Sequence, residues 1–285
     1  REIMKRRQKE IINIVFRYII IVGVGIIMIY PILWMLGASF MKNNSEIFGS
    51  ISFIPKSFTL DGYKNGWNAT TYPFGHYMIN TYKFVLPKVL GTIVSATVTA
   101  YGFSRFKFIG KKFWFGVMLS TLFLPQVVLN VPQFLLFKQL NWIDTYLPLV
   151  IPSFLATDTY FVFMIVQFMR SIPTELEEAA EIDGCNSVKR LYYIVAPMVR
   201  PAVVSAALFQ FMWSANDFMG PLIYLNSVKK YTASLGLRMM MDTEVGFDWN
   251  KVLALSVITI LPSLIVFFSA QNEFIEGISA GSVKG

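Results

Sequence analysis

The sequence predicts an all-α integral membrane protein with six transmembrane helices, and three observations support this. Its 285 residues are 55% hydrophobic and only 15% charged, with a mean hydropathy of +0.54, which is too apolar for an ordinary soluble domain. The apolar residues gather into six runs, most of them long enough to cross a bilayer. Most charged residues lie between these runs, where loops meet water.

The runs divide the chain into a basic segment, residues 1–17, and a single transmembrane domain, residues 18–285. The predicted spans are about 18–40, 82–106, 113–132, 147–169, 202–225 and 252–270. A secretory signal peptide has a shorter apolar core and a small-residue cleavage site, so the first run is predicted to be a retained helix. The most charged interruption, residues 171–200, separates the fourth span from the fifth.

The basic residues predict which loops face the cytoplasm. Lys and Arg number six in residues 1–17, four in 105–112, four in 170–200 and one in the tail, whereas the loops on the opposite side contain seven. Short loops with an excess of positive charge remain inside. The two termini and the 171–200 loop are therefore predicted to be cytoplasmic.

Composition argues against several other chemistries. The single Cys185 and the single His76 cannot form a disulfide within the chain or a usual zinc site. The sequence has no G-x-x-x-x-G-K-[ST] phosphate-binding loop and no convincing nucleophile–base pair, so we expect no catalytic residues, no metal and no cofactor in this chain. The net charge of +8 is scattered between apolar runs, which disfavours nucleic-acid binding.

The 171–200 loop is predicted to contain a short helix that begins after Pro173. Thr174 followed three residues later by Glu177 matches a capping box, in which each residue's side chain bonds the other's backbone N–H. Gly184 fits the left-handed position that often ends a helix. These positions predict a helix of about two to three turns.

This short helix has one face of small and apolar side chains, at helical spacing. The face consists of Leu176, Ala179, Ala180 and Asp183. Small side chains allow another surface to approach closely, and the alternative is a solvated amphipathic helix between spans. A second short helix is expected to follow, capped by Ser187 and extending through Val195.

The loop resembles the cytoplasmic loop of the permease subunits of binding-protein-dependent ABC importers. The resemblance rests on Glu178-Ala179-Ala180, three residues, Gly184, nine residues, and then Ile194-Val195-Ala196-Pro197, with Ala196 where the family usually has Leu. Further landmarks are similar to the sugar-importer branch that contains the second maltose permease subunit. They are residues 100–106, Gln167 with residues 171–173, Trp213 with residues 216–218 and 221–222, residues 274–277 and residues 281–285.

The resemblance implies a type I ABC importer permease with a coupling helix and without catalytic activity. The residues that it assigns to ATPase docking are Leu176, Glu178, Ala179, Ala180, Asp183 and Gly184. The implied partners are a second permease subunit, two ATPase subunits that bind ATP and Mg²⁺, and an extracytoplasmic solute-binding protein, at a bacterial plasma membrane. The implied substrate is a carbohydrate, either an oligosaccharide or a glycan fragment, and a non-sugar solute is the alternative.

Polar residues within the spans are candidates for a translocation cavity. They are Thr157, Asp158, Asn216 and Asp217. Asp158 lies near the middle of the fourth span, where a carboxylate costs about 2.5–3.5 kcal/mol on insertion scales. It is expected either to line a cavity or to accept a buried hydrogen bond, and the sequence leaves both open.

The loop from residue 226 to residue 250 is predicted to be flexible and extracytoplasmic. The resemblance implies that Leu235, Gly236, Leu237 and Arg238 contact the solute-binding protein, and the alternative is a simple connector.

Two other classes of function have different sequence signatures. An ion-coupled secondary transporter would show inverted repeats and paired broken helices, neither of which is evident in the sequence. A membrane enzyme would need a catalytic constellation. Transport that stops on ATP depletion but not with an uncoupler alone, together with co-purification of an ATPase, would separate the importer from the ion-coupled transporter.

The topology predicts that a reporter fused after Arg200 is located in the cytoplasm. A fusion within residues 226–250 serves as the control and is expected to be external. An external signal from the Arg200 fusion would contradict the predicted orientation.

Overall fold

The computed structural model describes residues 2–49, 51–241 and 248–282, and these residues form helices and connections without a β-strand. The first helices are α1 (Glu2–Ala38), α2 (Asn44–Gly49), α3 (Asp61–Trp67), α4 (Phe74–Arg105), α5 (Lys111–Ser120), a 3-10 turn (Thr121–Phe123) and α6 (Gln126–Gln139). The central helices are α7 (Leu147–Val150), a 3-10 segment (Ile151–Leu155), α8 (Thr159–Arg170), α9 (Glu175–Ile182), α10 (Ser187–Arg190), a π-helical turn (Leu191–Val195) and α11 (Ala196–Met198). The last are α12 (Arg200–Ala215), α13 (Met219–Tyr224), a 3-10 turn (Val228–Lys230), α14 (Ala233–Met241) and α15 (Trp249–Ser282).

The all-α class and the membrane-spanning character predicted from the sequence are confirmed. Four segments are long and apolar enough to cross a bilayer, namely Ile12–Ala38, Phe74–Arg105, Leu147–Arg170 and Trp249–Gln271. The segment Leu147–Arg170 is not one continuous α-helix, because a 3-10 segment precedes its last helix. Two bent pairs bring the total to six when each pair counts as one span. They are Lys111–Phe123 with Gln126–Gln139, bent by 103°, and Ser187–Met198 with Arg200–Ala215, bent by 77°.

Several helix boundaries differ from the predicted spans. The third span was expected to be one helix over 113–132, but Pro125 separates α5 from α6, and α6 continues beyond the predicted span as far as Gln139. The fifth span, 202–225, is interrupted at residues 216–218, between α12 and α13. Proline and polar residues mark these breaks, so hydropathy alone identified the apolar segments but not their bends.

The chain separates into two compact units. The smaller unit comprises Arg1–Thr70 and Met239–Ile258, and the larger comprises Thr71–Arg238 and Thr259–Gly285. In the smaller unit most of the apolar side chains of α1 are exposed from Ile12 onward, as expected of a helix that packs against lipid or another chain.

The segment that follows α1 in the smaller unit is organised around the Glu46 carboxylate. It accepts hydrogen bonds from the Ser57 hydroxyl at 2.6 Å and from the backbone N–H groups of Ser57, Lys56 and Lys42. The Ser57 hydroxyl and these N–H groups lower the pKa of Glu46 to about 2, because they stabilise the ionised carboxylate. Glu46 thereby closes the loop between α2 and α3.

In the larger unit, α4 lies between two packed cores. One core joins the second half of α4 to α8 and to the start of α12, with Phe161, Ile165 and Met169 fully buried. The other joins the first half of α4 to α6, α7, the end of α12 and α13. Since both cores include side chains of α4, this helix is the element on which the larger unit assembles.

A glycine sets the closest approach to α4. A Cβ at Gly91 would lie 2.5 Å from a ring carbon of Phe154 and 2.7 Å from the Ser153 hydroxyl oxygen, so a larger residue requires the 3-10 segment to move. One turn later the Ser95 hydroxyl donates to the Ser153 carbonyl at 2.6 Å. Close packing and this hydrogen bond hold the irregular part of the fourth span against α4.

Candidate functional site

The helix predicted after Pro173 is present as α9, but it does not begin with a capping box. The Thr174 side chain makes no capping hydrogen bond. The Glu177 carboxylate instead accepts a hydrogen bond from the Tyr101 hydroxyl at 3.0 Å and one from Arg105 Nε at 2.5 Å. The predicted capping box is therefore wrong, because both oxygens of the Glu177 carboxylate are engaged with side chains of α4 and not with the backbone of Thr174.

Glu177 is only 6% exposed and links α9 to the end of α4. Arg105 extends the contact, since its Nη2 donates to the Ile172 carbonyl at 3.1 Å. A buried carboxylate is stable only when paired and hydrogen-bonded, and both its oxygens are satisfied here. Local spacing in the sequence does not indicate this pairing, because Arg105 and Glu177 lie 72 residues apart.

The C-terminus of α9 has the predicted glycine cap. Gly184 has φ +83°, in the left-handed region. The Cys185 N–H donates to the Ala180 carbonyl at 2.9 Å and the Gly184 N–H to the Glu181 carbonyl at 3.0 Å, which together form a Schellman motif. No atom lies within 4 Å of a Cβ built at Gly184, so the constraint there is conformational rather than steric.

The structure divides the six predicted docking residues between two faces of α9. Leu176, Glu178, Ala179, Asp183 and Gly184 are exposed, whereas Ala180 is buried against the chain itself. The single narrow face predicted from helical spacing is therefore not wholly exposed. Ala180 lies on the same side as Glu177, which packs α9 onto the larger unit.

The rest of the loop has an exposed apolar surface that the sequence analysis did not single out. It consists of Ile182, Val188, Tyr192 and Tyr193, and Ile182 is 88% exposed. Asn186, rather than the predicted Ser187, caps α10, since its Oδ1 accepts from the Lys189 N–H at 2.9 Å. Large apolar side chains in the most charged loop were the available signal for this surface.

The fourth span is broken at the level of Asp158, between the 3-10 segment and α8. Asp158 Oδ2 accepts a hydrogen bond from the Thr92 hydroxyl at 2.6 Å and one from the Gln210 amide at 3.2 Å. Thr92 belongs to α4 and Gln210 to α12, and both are buried. One carboxylate oxygen thus joins α4 and α12 to the start of α8, which is the buried hydrogen bond that the sequence left open. Neighbouring Thr157 is exposed and donates to the Pro152 carbonyl at 2.8 Å.

The break between α12 and α13 is stabilised by the other two cavity candidates. The Asn216 amide donates to the Met212 carbonyl at 2.8 Å, and Asp217 Oδ1 accepts from the Gly220 N–H at 3.0 Å. The bond from Gly220 satisfies a backbone donor in the first turn of α13, and the Asn216 side chain adds a second donor to a carbonyl that the Asn216 N–H already reaches. Asn216 is exposed and Asp217 is partly buried.

Aromatic side chains connect the two breaks. Tyr160, in the first turn of α8, lies with its ring centroid 5.6 Å from that of Trp213, in the last turn of α12. Tyr160 is 41% exposed and Trp213 is 53% exposed. Trp213 and Asn216 also line a pocket with Leu208, Phe209, Met212 and Phe267. Exposed rings next to polar groups are suited to a solute that has both apolar and hydrogen-bonding faces.

The predicted outer contact residues lie on a helix, α14, and not in a flexible loop. Leu235 and Gly236 are buried, and a Cβ at Gly236 would lie 3.0 Å from the Tyr77 ring on α4. Leu237 is partly buried, and Arg238 is exposed, with its guanidinium 5.8 Å from the centroid of the Phe218 ring. The prediction of a flexible loop is wrong for residues 233–241, which are helical, and Ala233 and Gly236 lie against Thr81 and Tyr77 of α4.

No group of three or more His, Cys, Asp or Glu side chains that would suit a metal ion occurs within the part of the chain that the structure describes. The described residues combine helices that are long and apolar enough to span a membrane, interruptions within the fourth and fifth predicted spans, and a loop helix with an exposed face.

Comparison with known proteins identifies the family. Residues 89–272 match the family described as the inner membrane component of binding-protein-dependent transport systems, and the chain belongs to this family. It is 30% identical to the galactooligosaccharides transport system permease protein GanQ of Bacillus subtilis strain 168, over 97% of this chain and 98% of the relative. It is 29% identical to the arabinooligosaccharides transport system permease protein AraQ of Halalkalibacterium halodurans, over 99% of this chain and 100% of the relative.

A solved structure supports the fold. The structure of a bacterial ABC transporter involved in the import of the acidic polysaccharide alginate contains a chain that matches with a TM-score of 0.80 and 20% identity, over 94% of this chain and 98% of that one. The fold is that of a type I importer permease. The chain is thus a non-catalytic inner-membrane subunit that works with ATPase subunits and a solute-binding protein.

The Asp158→Leu substitution is expected to lower the thermal stability of the protein. The Thr92 hydroxyl and the Gln210 amide would lose their acceptor, and each unpaired buried group costs about 1–3 kcal/mol. Asp158→Asn retains an acceptor oxygen and is expected to cost less. Thermal unfolding of the purified protein in detergent measures both, with Asp183→Leu, the same change at an exposed aspartate, as the control. A leucine variant as stable as the wild type would contradict a structural role for this carboxylate.

Proposed function

We propose that this chain is one of two non-identical permease subunits of an importer for an oligosaccharide or glycan fragment. The observation that carries the proposal is the similarity, over nearly the whole chain, to permeases named for galactooligosaccharide and arabinooligosaccharide transport. The chain is also 29% identical, over 94% of its length, to the trehalose/maltose transport system permease protein MalG of Thermococcus litoralis. This similarity agrees with a carbohydrate substrate.

A second permease is supported by the two helix breaks. Irregular backbone at membrane depth is tolerated only where protein buries it or where it lines a water-filled cavity. Thr157 and Asn216, beside the breaks, are exposed in this chain. A partner permease that faces them would enclose a cavity and keep lipid away. The carbohydrate path then passes Thr157, Asn216 and Asp217, with Asp158 holding the break in place.

The exposed residues of α9 form the proposed ATPase-docking surface. Ile182, Val188, Tyr192 and Tyr193 extend it with apolar contact area. ATP and Mg²⁺ bind to the ATPase subunits in this proposal and not to this chain, and both termini lie on the ATPase side of the membrane, as the distribution of Lys and Arg favours. On the other side, Arg238 and the exposed edge of α14 meet the solute-binding protein.

Either Gly184→Asp or Ala179→Trp is expected to abolish the stimulation of ATPase activity by the loaded solute-binding protein. Neither variant is expected to prevent membrane insertion. The aspartate strains a left-handed position and the tryptophan enlarges an exposed small side chain on the docking surface. The measurement is ATPase activity of the assembled transporter in lipid nanodiscs.

Gly49→Asp provides a matched control for that experiment, because it adds the same side chain at a glycine that has open space around it and lies in α2. It is expected to leave stimulation intact. Normal stimulation in both the Gly184 and Ala179 variants would refute the docking role of α9.

Trp213→Ala is expected to raise the KM for transport roughly three- to tenfold, because a sugar ring would lose an exposed aromatic face next to Asn216. Trp213→Phe should retain most of the affinity. Uptake of labelled oligosaccharides by proteoliposomes measures the change. Trp114→Ala, at a similarly exposed tryptophan on α5, is the control, and an equal effect of the two alanine variants would argue against a path along Trp213.

A further inference from the structure

Helix α4 makes buried polar contacts near both of its ends. One set joins it to α9, the proposed ATPase-docking helix, and the other joins it to the segment before α14, the proposed contact for the solute-binding protein. The helix has 32 residues and is therefore about 48 Å long, and Pro87 lies within it without ending it. Side chains of α4 belong to both cores of the larger unit. A helix packed along its whole length moves with its surroundings as one body, so a displacement at one end is felt at the other.

The C-terminal end of α4, here called the inner end, is hydrogen-bonded to α9. Tyr101 and Arg105 both donate to the carboxylate of Glu177, and the side chains of Arg105 and Glu177 are only 11% and 8% exposed. These contacts lie on the face of α9 opposite to the exposed residues Glu178 and Ala179. A partner that moves α9 must therefore move the end of α4 or break a buried ion pair, and breaking such a pair is unfavourable.

The outer end of α4 is fixed to the segment that leads into α14. The Asn80 amide donates to the carbonyls of Lys229 and Tyr231 at 2.8 and 3.0 Å. The Thr81 hydroxyl oxygen accepts from the Ala233 N–H at 2.9 Å, so it pairs a backbone donor in the first turn of α14. Asn80 and Thr81 are both buried.

We propose that α4 transmits the binding of the solute-binding protein, at the segment that leads into α14, to the ATPase-docking helix α9. In this proposal Tyr101, Arg105 and Glu177 are positioning residues at one end, and Asn80 and Thr81 are positioning residues at the other. The inference rests on the docking roles proposed for α9 and α14. It differs from them because none of these side chains belongs to the exposed docking surfaces.

The test uses the assembled transporter in nanodiscs and measures the ratio of stimulated to basal ATPase activity. Glu177→Gln removes the ion pair, and Thr81→Val removes the acceptor for Ala233 while retaining the shape of the side chain. Each is expected to lower the ratio by about two- to thirtyfold while the complex still assembles, as judged by size-exclusion chromatography. Lys107→Gln and Thr71→Val, at exposed positions near the two ends of α4, are matched controls and are expected to leave the ratio unchanged.

The double variant decides between a connection and two separate defects. If α4 transmits the signal, either substitution already interrupts it, and Glu177→Gln combined with Thr81→Val lowers the ratio no further than the more severe single variant. If the two losses multiply, the ends act independently and the proposal is overturned. A loss of assembly in the single variants would indicate a merely structural role and also overturn it.

Tyr101→Phe provides a milder version of the inner substitution, since it removes only one hydroxyl. It is expected to lower the ratio less than Glu177→Gln. Combined with Thr81→Val, it is expected to lower the ratio no further than the more severe of the two single variants.

The wild type and Gly184→Asp are measured in parallel. If the Gly184→Asp transporter is still fully stimulated, the docking role of α9 is refuted. If Gly184→Asp abolishes stimulation but the losses caused by Glu177→Gln and Thr81→Val multiply, only the proposed connection through α4 is refuted.

Discussion

The need to satisfy polar groups within a membrane-spanning bundle determines much of this structure. A bilayer offers no water to an interrupted helix, so each break must find its own hydrogen-bond partners. At the first break a single oxygen of Asp158 accepts from both α4 and α12, and at the second Asn216 and Asp217 pair with nearby backbone groups. Asp158 therefore holds the first break against two neighbouring helices, and Asp217 pairs a backbone donor at the second.

Helix α4 is central because it supplies partners for elements that are far apart in the sequence. Thr81 bonds the first turn of α14, Ser95 bonds the 3-10 segment of the fourth span, and Arg105 bonds α9. Two packed cores share its side chains. Local propensity makes it a long helix, but its hydrogen-bonding side chains make it the frame of the larger unit.

Sequence reasoning identified the features that depend on neighbours along the chain. The apolar segments, the start of α9 after Pro173 and the left-handed glycine at its end follow from composition and spacing over a few residues. The burial of Ala180, the pairing of Glu177 with Arg105 and the helical state of residues 233–241 depend on contacts between distant segments. Periodicity does not specify such contacts, and the capping-box prediction was wrong for that reason.

The burial of Glu177 has a consequence for how the 171–200 loop can change during evolution. Within the eight residues of α9, the inward side chains of Glu177 and Ala180 pack the helix against the rest of the chain, whereas Glu178 and Ala179 are exposed. In the docking role proposed for α9, exposed positions such as Glu178 and Ala179 can be replaced without loss of the buried contacts beneath them. A permease that docks in this way can be adapted to a different ATPase subunit by a few surface replacements, while the inward side chains remain unchanged.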